Sequence, residues 1–212
     1  ELQTQLGDNF IPLNFDVSDL PATKTALQTL PNDVLNNLDV LVNNAGLALG
    51  LEPADKTDFA DWQQMVNTNI LGLIHLTHEI LPSMVANNDG YIINLSSTAG
   101  NYPYFGGNVY GATKAFVTQF SLNLRADLVG KNIRVSNIEP GLCGGTEFSN
   151  IRFHGDDAKA AQVYDSVQYV TPQDIANMVA WLIEQPKHVN INRIEVMPTA
   201  QTFAGLKVVK DL

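Results

Sequence analysis

The stretch LDVLVNNAG, residues 38–46, combines a short apolar run with a turn of asparagine, alanine and glycine. An apolar run bounded by turn-forming residues is typical of a strand that is buried on both faces. The sequence contains five such strand candidates, at residues 10–15, 38–43, 91–95, 133–138 and 193–197. Amphipathic helical patterns lie at residues 20–30, 61–85, 109–128 and 172–183. This alternation predicts parallel strands joined by helices, in an open, doubly wound α/β sheet of the Rossmann type.

Two of the predicted helices have recognisable ends. The pattern at residues 172–183 begins with Thr171 as the N-cap, Pro172 in the first turn and Asp174 in the capping-box position. A polar, helix-like stretch at residues 1–6 stops at Gly7, which is suited to a helix C-cap.

The composition is that of an acidic globular protein. Of the 212 residues, 45% are hydrophobic and 16% are charged, and the formal net charge is -10. This negative charge disfavours nucleic acid and anionic membranes as partners. The sequence has no apolar run long enough to span a bilayer and no signal-peptide pattern. We therefore expect one domain over residues 1–212, located in the cytoplasm.

The cysteine and histidine content argues against a metal centre. Cys143 is the only cysteine, so the chain can form no intrachain disulfide and no cysteine-based metal cluster. A single thiol also agrees with a reducing compartment. His75, His78, His154 and His188 lack the spacing of metal ligands, and we interpret them as surface or packing residues.

Tyr110 and Lys114 are the first candidates for chemistry. They lie four residues apart in a predicted helix, so their side chains share one helix face. A tyrosine ionises near pH 10 and becomes a useful base only if a nearby positive charge stabilises the phenolate. The lysine ammonium could supply that charge, although the same spacing also suits a tyrosine packed under a lysine stem.

Three further motifs follow predicted strands. An Asn-Asn-Ala-Gly turn at residues 43–46 ends one strand, Ser96 and Ser97 end the next, and Pro140 and Gly141 end the third. Each alone could be a turn, a helix cap or a loop. Because open parallel sheets bind ligands at the carboxyl ends of their strands, the three together indicate one ligand crevice.

Asn69 lies inside a predicted helix, where asparagine is mildly unfavourable unless a kink or a bound water uses its amide. The order of Asn-Asn-Ala-Gly, a helix asparagine, a serine, Tyr-x-x-x-Lys and Pro-Gly resembles the short-chain dehydrogenase/reductase family. The family's serine lies thirteen places before its tyrosine, which selects Ser97 rather than Ser96. The resemblance runs from about Asp16 to the C terminus.

The resemblance implies an oxidoreductase that uses NADP or NAD, with NADP favoured. Tyr110 would exchange a proton with the substrate oxygen and Ser97 would hydrogen-bond that oxygen. Lys114 would lower the pKa of Tyr110 and bind the nicotinamide ribose, while Asn69 would hold a water that links Lys114 to solvent. The implied cofactor-binding residues are Asp16, Val17, Asn43, Ala45, Gly46, Tyr110, Lys114, Pro140, Gly141 and Thr146.

The sequence departs from the family at its beginning. It contains no Thr-Gly-x-x-x-Gly-x-Gly phosphate loop, which would bind the cofactor pyrophosphate, and it begins at Glu1 rather than at Met. We therefore interpret residues 1–212 as an incomplete dinucleotide-binding and catalytic domain, without its N-terminal βαβ portion. The functional protein is expected to carry about forty more residues before Glu1, the size of such a unit.

Three segments resemble the 3-hydroxy acid or serine dehydrogenase subgroup: residues 139–157, 190–192 and 197–198. The expected reaction interconverts the alcohol of a small 3-hydroxy acid and its carbonyl, with Ser97, Tyr110 and Arg152 contacting the substrate. Arg152 would pair with the substrate carboxylate. The alternative for Arg152 is a surface salt bridge with Asp156 or Asp157.

Other interpretations stay open at this point. The protein could reduce other ketones, sugars or acyl carriers, or bind ligands without catalysis. The glycine-rich residues 144–155 suit a mobile lid or a plain connection. The helices that carry Asn69 and Tyr110 could pack across subunits in a homotetramer or serve as intrachain core, and residues 205–212 could reach a neighbouring subunit or be mobile.

Overall fold

The computed structural model describes residues 2–203, with side chains from Thr4 onward, so the predicted tail at residues 205–212 lies outside the described residues. In the described part, the strands form one parallel sheet in the order β1-β2-β3-β4. The strands are β1 (Val40–Asn43), β2 (Gly90–Leu95), β3 (Ile133–Pro140) and β4 (Arg193–Val196). Four of the five predicted strands are therefore confirmed.

Helices connect and flank these strands. They are α1 (Leu2–Leu6), α2 (Leu20–Gln28), α3 (Asn32–Asn36), α4 (Phe59–Val66), α5 (Leu73–Asn87), α6 (Asn108–Asp127), α7 (Phe148–Arg152), α8 (Asp157–Gln162) and α9 (Pro172–Glu184). The four long helical patterns are confirmed, whereas α3, α7 and α8 are short helices that periodicity did not predict. No helix within residues 2–203 has both the length and the apolar character needed to cross a bilayer.

The sheet is covered on both faces. On one face, Ile92 of β2 packs with Met84 of α5 and Leu124 of α6. On the other face, Ile93 of β2 packs with Leu182 of α9. This burial explains why the strands are apolar at consecutive positions, and it confirms the doubly wound α/β architecture.

The prediction of a strand at residues 10–15 is wrong. This segment, which lies directly before the turn that contains Asp16, pairs with no strand among residues 2–203. An apolar run becomes a strand only where a neighbouring strand supplies hydrogen-bond partners for its backbone. In the described part of the chain, β1 pairs with β2 and no strand is placed beside residues 10–15.

The helical pattern predicted at residues 61–85 is interrupted by a change of geometry. A π-helical segment, Asn67–Gly72, joins α4 to α5 and contains Asn69. Gly72 lets another part of the backbone approach, because a Cβ there would lie 2.9 Å from the carbonyl oxygen of Val17. Such π segments occur frequently at functional sites, and here the segment accounts for an asparagine inside a helix.

Both predicted helix ends are observed. Thr171 caps α9 by accepting from the Asp174 amide, and the Asp174 carboxylate accepts from the Thr171 amide in return. Gly7 follows α1 with a φ of +57°, a left-handed conformation that favours glycine.

Candidate active site

A cavity of about 960 Å³ lies beside the carboxyl ends of β2 and β3. Because the strands are parallel, the loops that follow them meet at this edge of the sheet. The predicted site residues that line the cavity are Gly46, Ser97, Tyr110, Lys114, Pro140, Gly141, Thr146 and Arg152. Residues predicted from separate motifs are thus brought to one place.

Helix α6 presents Tyr110 and Lys114 to the cavity from the same side. The Lys114 Nζ lies 5.9 Å from the centroid of the Tyr110 ring and donates to the Leu95 carbonyl oxygen at 2.9 Å. Both side chains are buried, at 7% and 6% exposed. The spacing of four residues therefore predicted their common location correctly.

The pKa of Tyr110 shifts opposite to the expected direction. Burial raises the pKa of the Tyr110 phenol to about 12, although a hydrogen bond with Ser97 and the charge of Arg152 act to lower it. Burial also lowers the pKa of Lys114 to about 8. Both pKa shifts have the same physical cause, because a low-dielectric environment disfavours the charged form of each group. At neutral pH the phenol is consequently a proton donor.

Ser97 and Ser96 have different surroundings. The Ser97 hydroxyl lies at the cavity, where it donates to the Pro140 carbonyl oxygen and accepts from the Ala99 amide, both at 3.1 Å. The Ser96 hydroxyl instead donates to the Lys114 main-chain carbonyl at 2.6 Å and is 5% exposed. Ser96 thus fixes the start of α6 against β2, which leaves Ser97 as the serine beside Tyr110.

Asn69 fastens the turn after β1 to the helices. Its amide nitrogen donates to the Leu47 carbonyl at 2.8 Å and to the Thr113 hydroxyl at 3.0 Å, and its oxygen accepts from the Leu47 amide at 2.9 Å. The side chain is 1% exposed. These contacts hold the segment that follows Gly46 in place beside Lys114.

Four predicted cofactor-binding residues lie away from the cavity lining. Asp16 is exposed, and its carboxylate accepts from the Ser18 amide and hydroxyl at 2.8 Å, which lowers the pKa of Asp16. The Val17 backbone packs against the π-helical segment. The side chain of Asn43 is buried against Thr77 and Asn94. Ala45 is exposed outside the lining.

Arg152 enters the cavity from α7, within the segment predicted as a lid or connection. Its Nε donates to the Gly50 carbonyl at 3.1 Å and its Nη2 to the Tyr104 hydroxyl at 2.8 Å. The guanidinium carbon lies 5.6 Å from the centroid of the Tyr110 ring. The alternative salt bridge is not formed, because Asp156 pairs with Lys159 and Asp157 accepts from Asn150.

Comparison with known proteins gives the family. The model of the family described as short chain dehydrogenase matches residues 1–156. The chain belongs to the short-chain dehydrogenases. This dehydrogenase is 68% identical over 211 residues to a probable NADP-dependent dehydrogenase of Haemophilus influenzae, and the match spans 100% of this chain and 83% of that protein.

Two further relatives carry more specific names. An NADP-dependent 3-hydroxy acid dehydrogenase of Escherichia coli is 55% identical, over 98% of this chain and 84% of its own length. A solved structure, the closed form of serine dehydrogenase complexed with NADP+, is 54% identical with a TM-score of 0.96. That comparison covers 99% of this chain and 84% of the solved one.

Lys114 lies at the cavity wall close to the turn that contains Gly46. A Cβ on Gly46 would lie 3.2 Å from the Lys114 Nζ and 3.3 Å from the Asn69 oxygen, so the glycine lets the turn pack closely against both side chains. Among residues 2–203, Leu95 alone accepts from the Lys114 ammonium, so two of its three N–H groups remain available to a ligand.

Sequence reasoning missed a buried carboxylate at the end of β3. Glu139 is 0% exposed, and Arg193 of β4 donates to both of its oxygens at 2.7 and 2.8 Å. Asn101, which follows the Ser97 turn, donates to it at 2.7 Å, and Thr118 of α6 donates at 3.2 Å. The only sequence signal is a charged residue in an apolar strand, which requires a buried partner.

Proposed function

We propose that this dehydrogenase uses NADP to interconvert the alcohol of a small 3-hydroxy acid and its carbonyl. The observation that carries the proposal is the guanidinium of Arg152, 5.6 Å from the Tyr110 ring in one cavity. A proton donor and a carboxylate ligand side by side suit a substrate with an oxygen and a carboxylate a few atoms apart. The names of the relatives support both the substrate class and the coenzyme.

The proton is handled by Tyr110 and Ser97. Because the pKa of Tyr110 is raised to about 12, the phenol is protonated at neutral pH and can donate to the carbonyl oxygen of a substrate during reduction. The Ser97 hydroxyl hydrogen-bonds the same oxygen and stabilises the charge that develops on it. The bound dinucleotide supplies the hydride in this direction and accepts it in the reverse one.

Lys114 and Asn69 organise the cofactor side. The Lys114 ammonium, held by the Leu95 carbonyl, directs its free donors toward the turn at Gly46, where the ribose would bind. Asn69 fixes that turn through the backbone of Leu47. The water that we expect Asn69 to hold would have to use the remaining acceptor capacity of its oxygen.

The test is a substrate panel with matched variants. The purified protein is given 3-hydroxypropionate or its amide with NADP or NAD, and reduced nicotinamide is followed by absorbance. We expect turnover of the acid with NADP, and a loss of at least about a hundredfold in Tyr110→Phe. Arg152→Ala should raise KM for the acid about tenfold or more and change KM for the amide little. An equal effect of Arg152→Ala on acid and amide would contradict the assignment.

We further propose that the protein acts as a homotetramer in the cytoplasm. Phe116 on α6 is 37% exposed and stacks on Phe120, and Leu71 on the π-helical segment is 39% exposed. These apolar side chains lie on the helices expected to pack between subunits. Sedimentation equilibrium would test the assembly, and a monomer mass would contradict it.

The cytoplasmic part of the proposal is supported by the single free thiol, Cys143, which suits a reducing compartment.

A further inference from the structure

Tyr104 shares the cavity wall with the proposed carboxylate ligand. Its ring centroid lies 5.6 Å from the guanidinium carbon of Arg152, the same distance that separates Arg152 from the Tyr110 ring. Arg152 is therefore flanked by two phenols, of which Tyr110 is the proton donor. The phenol of Tyr104 contacts Arg152 and takes no part in the proton transfer described above.

The position of the Tyr104 ring is fixed by the glycines that follow it. A Cβ on Gly107 would lie 2.7 Å from the ring, and Gly106 has a φ of +80° and would place a Cβ 2.2 Å from the Leu51 carbonyl oxygen. Only glycine fits both positions, so the loop backbone packs directly under the ring. The phenol is thereby held on the cavity side of the loop.

The hydrogen bonds of Tyr104 and Arg152 leave donors available. Arg152 donates from Nη2 to the Tyr104 oxygen, so the phenol acts as an acceptor in that contact and its own O–H can donate elsewhere. Arg152 uses Nε for Gly50 and part of Nη2 for Tyr104. No other acceptor for the guanidinium is found within residues 2–203, so its remaining N–H groups can donate to a ligand as well.

We propose that Tyr104 is a second substrate-binding residue, whose phenol donates to one oxygen of the substrate carboxylate while Arg152 donates to the other. This rests on the proposed hydroxy-acid function and specifies how the acid is recognised. A phenol polarised by a guanidinium is a better hydrogen-bond donor to an anion than an isolated one. The pair would select carboxylates over amides and esters, which offer a weaker acceptor.

The experiment compares Tyr104→Phe with the matched control Tyr164→Phe. Tyr164 also lines the cavity, but its phenol is committed to the Ser149 hydroxyl at 2.7 Å and the Cys143 carbonyl at 3.2 Å. Each enzyme is assayed with 3-hydroxypropionate and with its amide, and propionate and propanamide serve as inhibitors that cannot react. The four values separate carboxylate binding from catalysis.

For Tyr104→Phe we expect kcat/KM for the acid to fall about tenfold or more, mainly through KM, with an equal rise in the inhibition constant of propionate. The amide and propanamide values should change by less than about threefold, because a neutral acceptor gains little from this donor. Tyr164→Phe should keep the wild-type ratio of acid to amide. A fall in kcat for both substrates would indicate a general disturbance beside Tyr110 and would overturn the proposal.

Two results separate this proposal from the one it rests on. If the wild type does not prefer the acid, the hydroxy-acid function itself fails. If the wild type prefers the acid and Arg152→Gln abolishes that preference while Tyr104→Phe preserves it, only the role of Tyr104 is refuted. The double variant Tyr104→Phe/Arg152→Gln completes the cycle. If the effect of Tyr104→Phe vanishes in the Arg152→Gln background, Tyr104 acts only by positioning Arg152, and a direct contact between Tyr104 and the substrate is excluded.

Discussion

Replacing Lys114 with Met should increase the free energy of unfolding at neutral pH and abolish turnover. Burial lowers the pKa of Lys114 from its ordinary value of 10.5 to about 8. Below pH 8 the ammonium is charged in both states, and its desolvation destabilises the folded state by the full amount. At ~1.36 kcal/mol per pH unit, the difference between the two values corresponds to about 3 kcal/mol.

The pH dependence has a definite sign. Between pH 8 and 10.5 the unfolded chain keeps the Lys114 proton while the folded protein releases it, so wild-type stability rises with pH relative to the variant. The advantage of Lys114→Met should fall from about 3 kcal/mol at pH 7 to about 1 kcal/mol at pH 10. The charge-dependent part of the hydrogen bond to Leu95 is already contained in the folded-state pKa of Lys114, and the part that a neutral amine also makes cancels in this comparison.

Urea unfolding of both proteins at pH 7 and pH 10, followed by circular dichroism, measures the difference. Lys24→Met is the control, because Lys24 is exposed on α2 and should show no such change between the two pH values. A Lys114→Met advantage that is the same at both pH values, or a variant less stable at pH 7 than at pH 10 relative to wild type, would refute the desolvation argument.

Three other substitutions have expected outcomes. Arg193→Ala removes the cation from the buried carboxylate of Glu139 and should lower the free energy of unfolding, measured in urea, by about 1–3 kcal/mol, because Arg193 is partly exposed and Asn101 and Thr118 still donate to the carboxylate. No measurable change would mean that water replaces the arginine. Gly46→Ala places a Cβ 3.2 Å from the Lys114 Nζ and should weaken NADP binding in a fluorescence titration, with unchanged affinity as the contrary result. Thr171→Ala removes the N-cap of α9 and should cost about 1 kcal/mol in the same urea assay, and Thr171→Ser should restore it.

The sequence predicts those parts of the fold that depend on local order. Periodicity located the long helices and four strands, and the spacing of four residues placed Tyr110 and Lys114 together. Residues 10–15 have the composition of a strand and yet form none among the described residues, because pairing depends on a neighbour that composition does not reveal. Strand formation is a property of two segments, whereas helix formation is largely a property of one.

The site was less predictable where it depends on contacts between distant segments. The Arg152 contacts with Gly50 and Tyr104 join loops that are far apart in sequence, and neither has a local signature. The predicted direction of the Tyr110 pKa shift was wrong, because the sequence shows that a lysine lies nearby but does not show how deeply the phenol is buried. Burial is set by the whole packing arrangement, so its effect on titration requires the structure.

The π-helical geometry of Asn67–Gly72 makes the site sensitive to chain length as well as to side-chain identity. A π turn accommodates one residue more than the i to i+4 pattern on either side of it. Deleting a single residue there would restore an unbroken α-helix, and α4 and α5 would keep nearly their present phase because the π turn absorbs the extra residue. The residues within the turn would shift, and Asn69 would lose the position from which it donates to Leu47 even though no atom of the catalytic side chains had been altered.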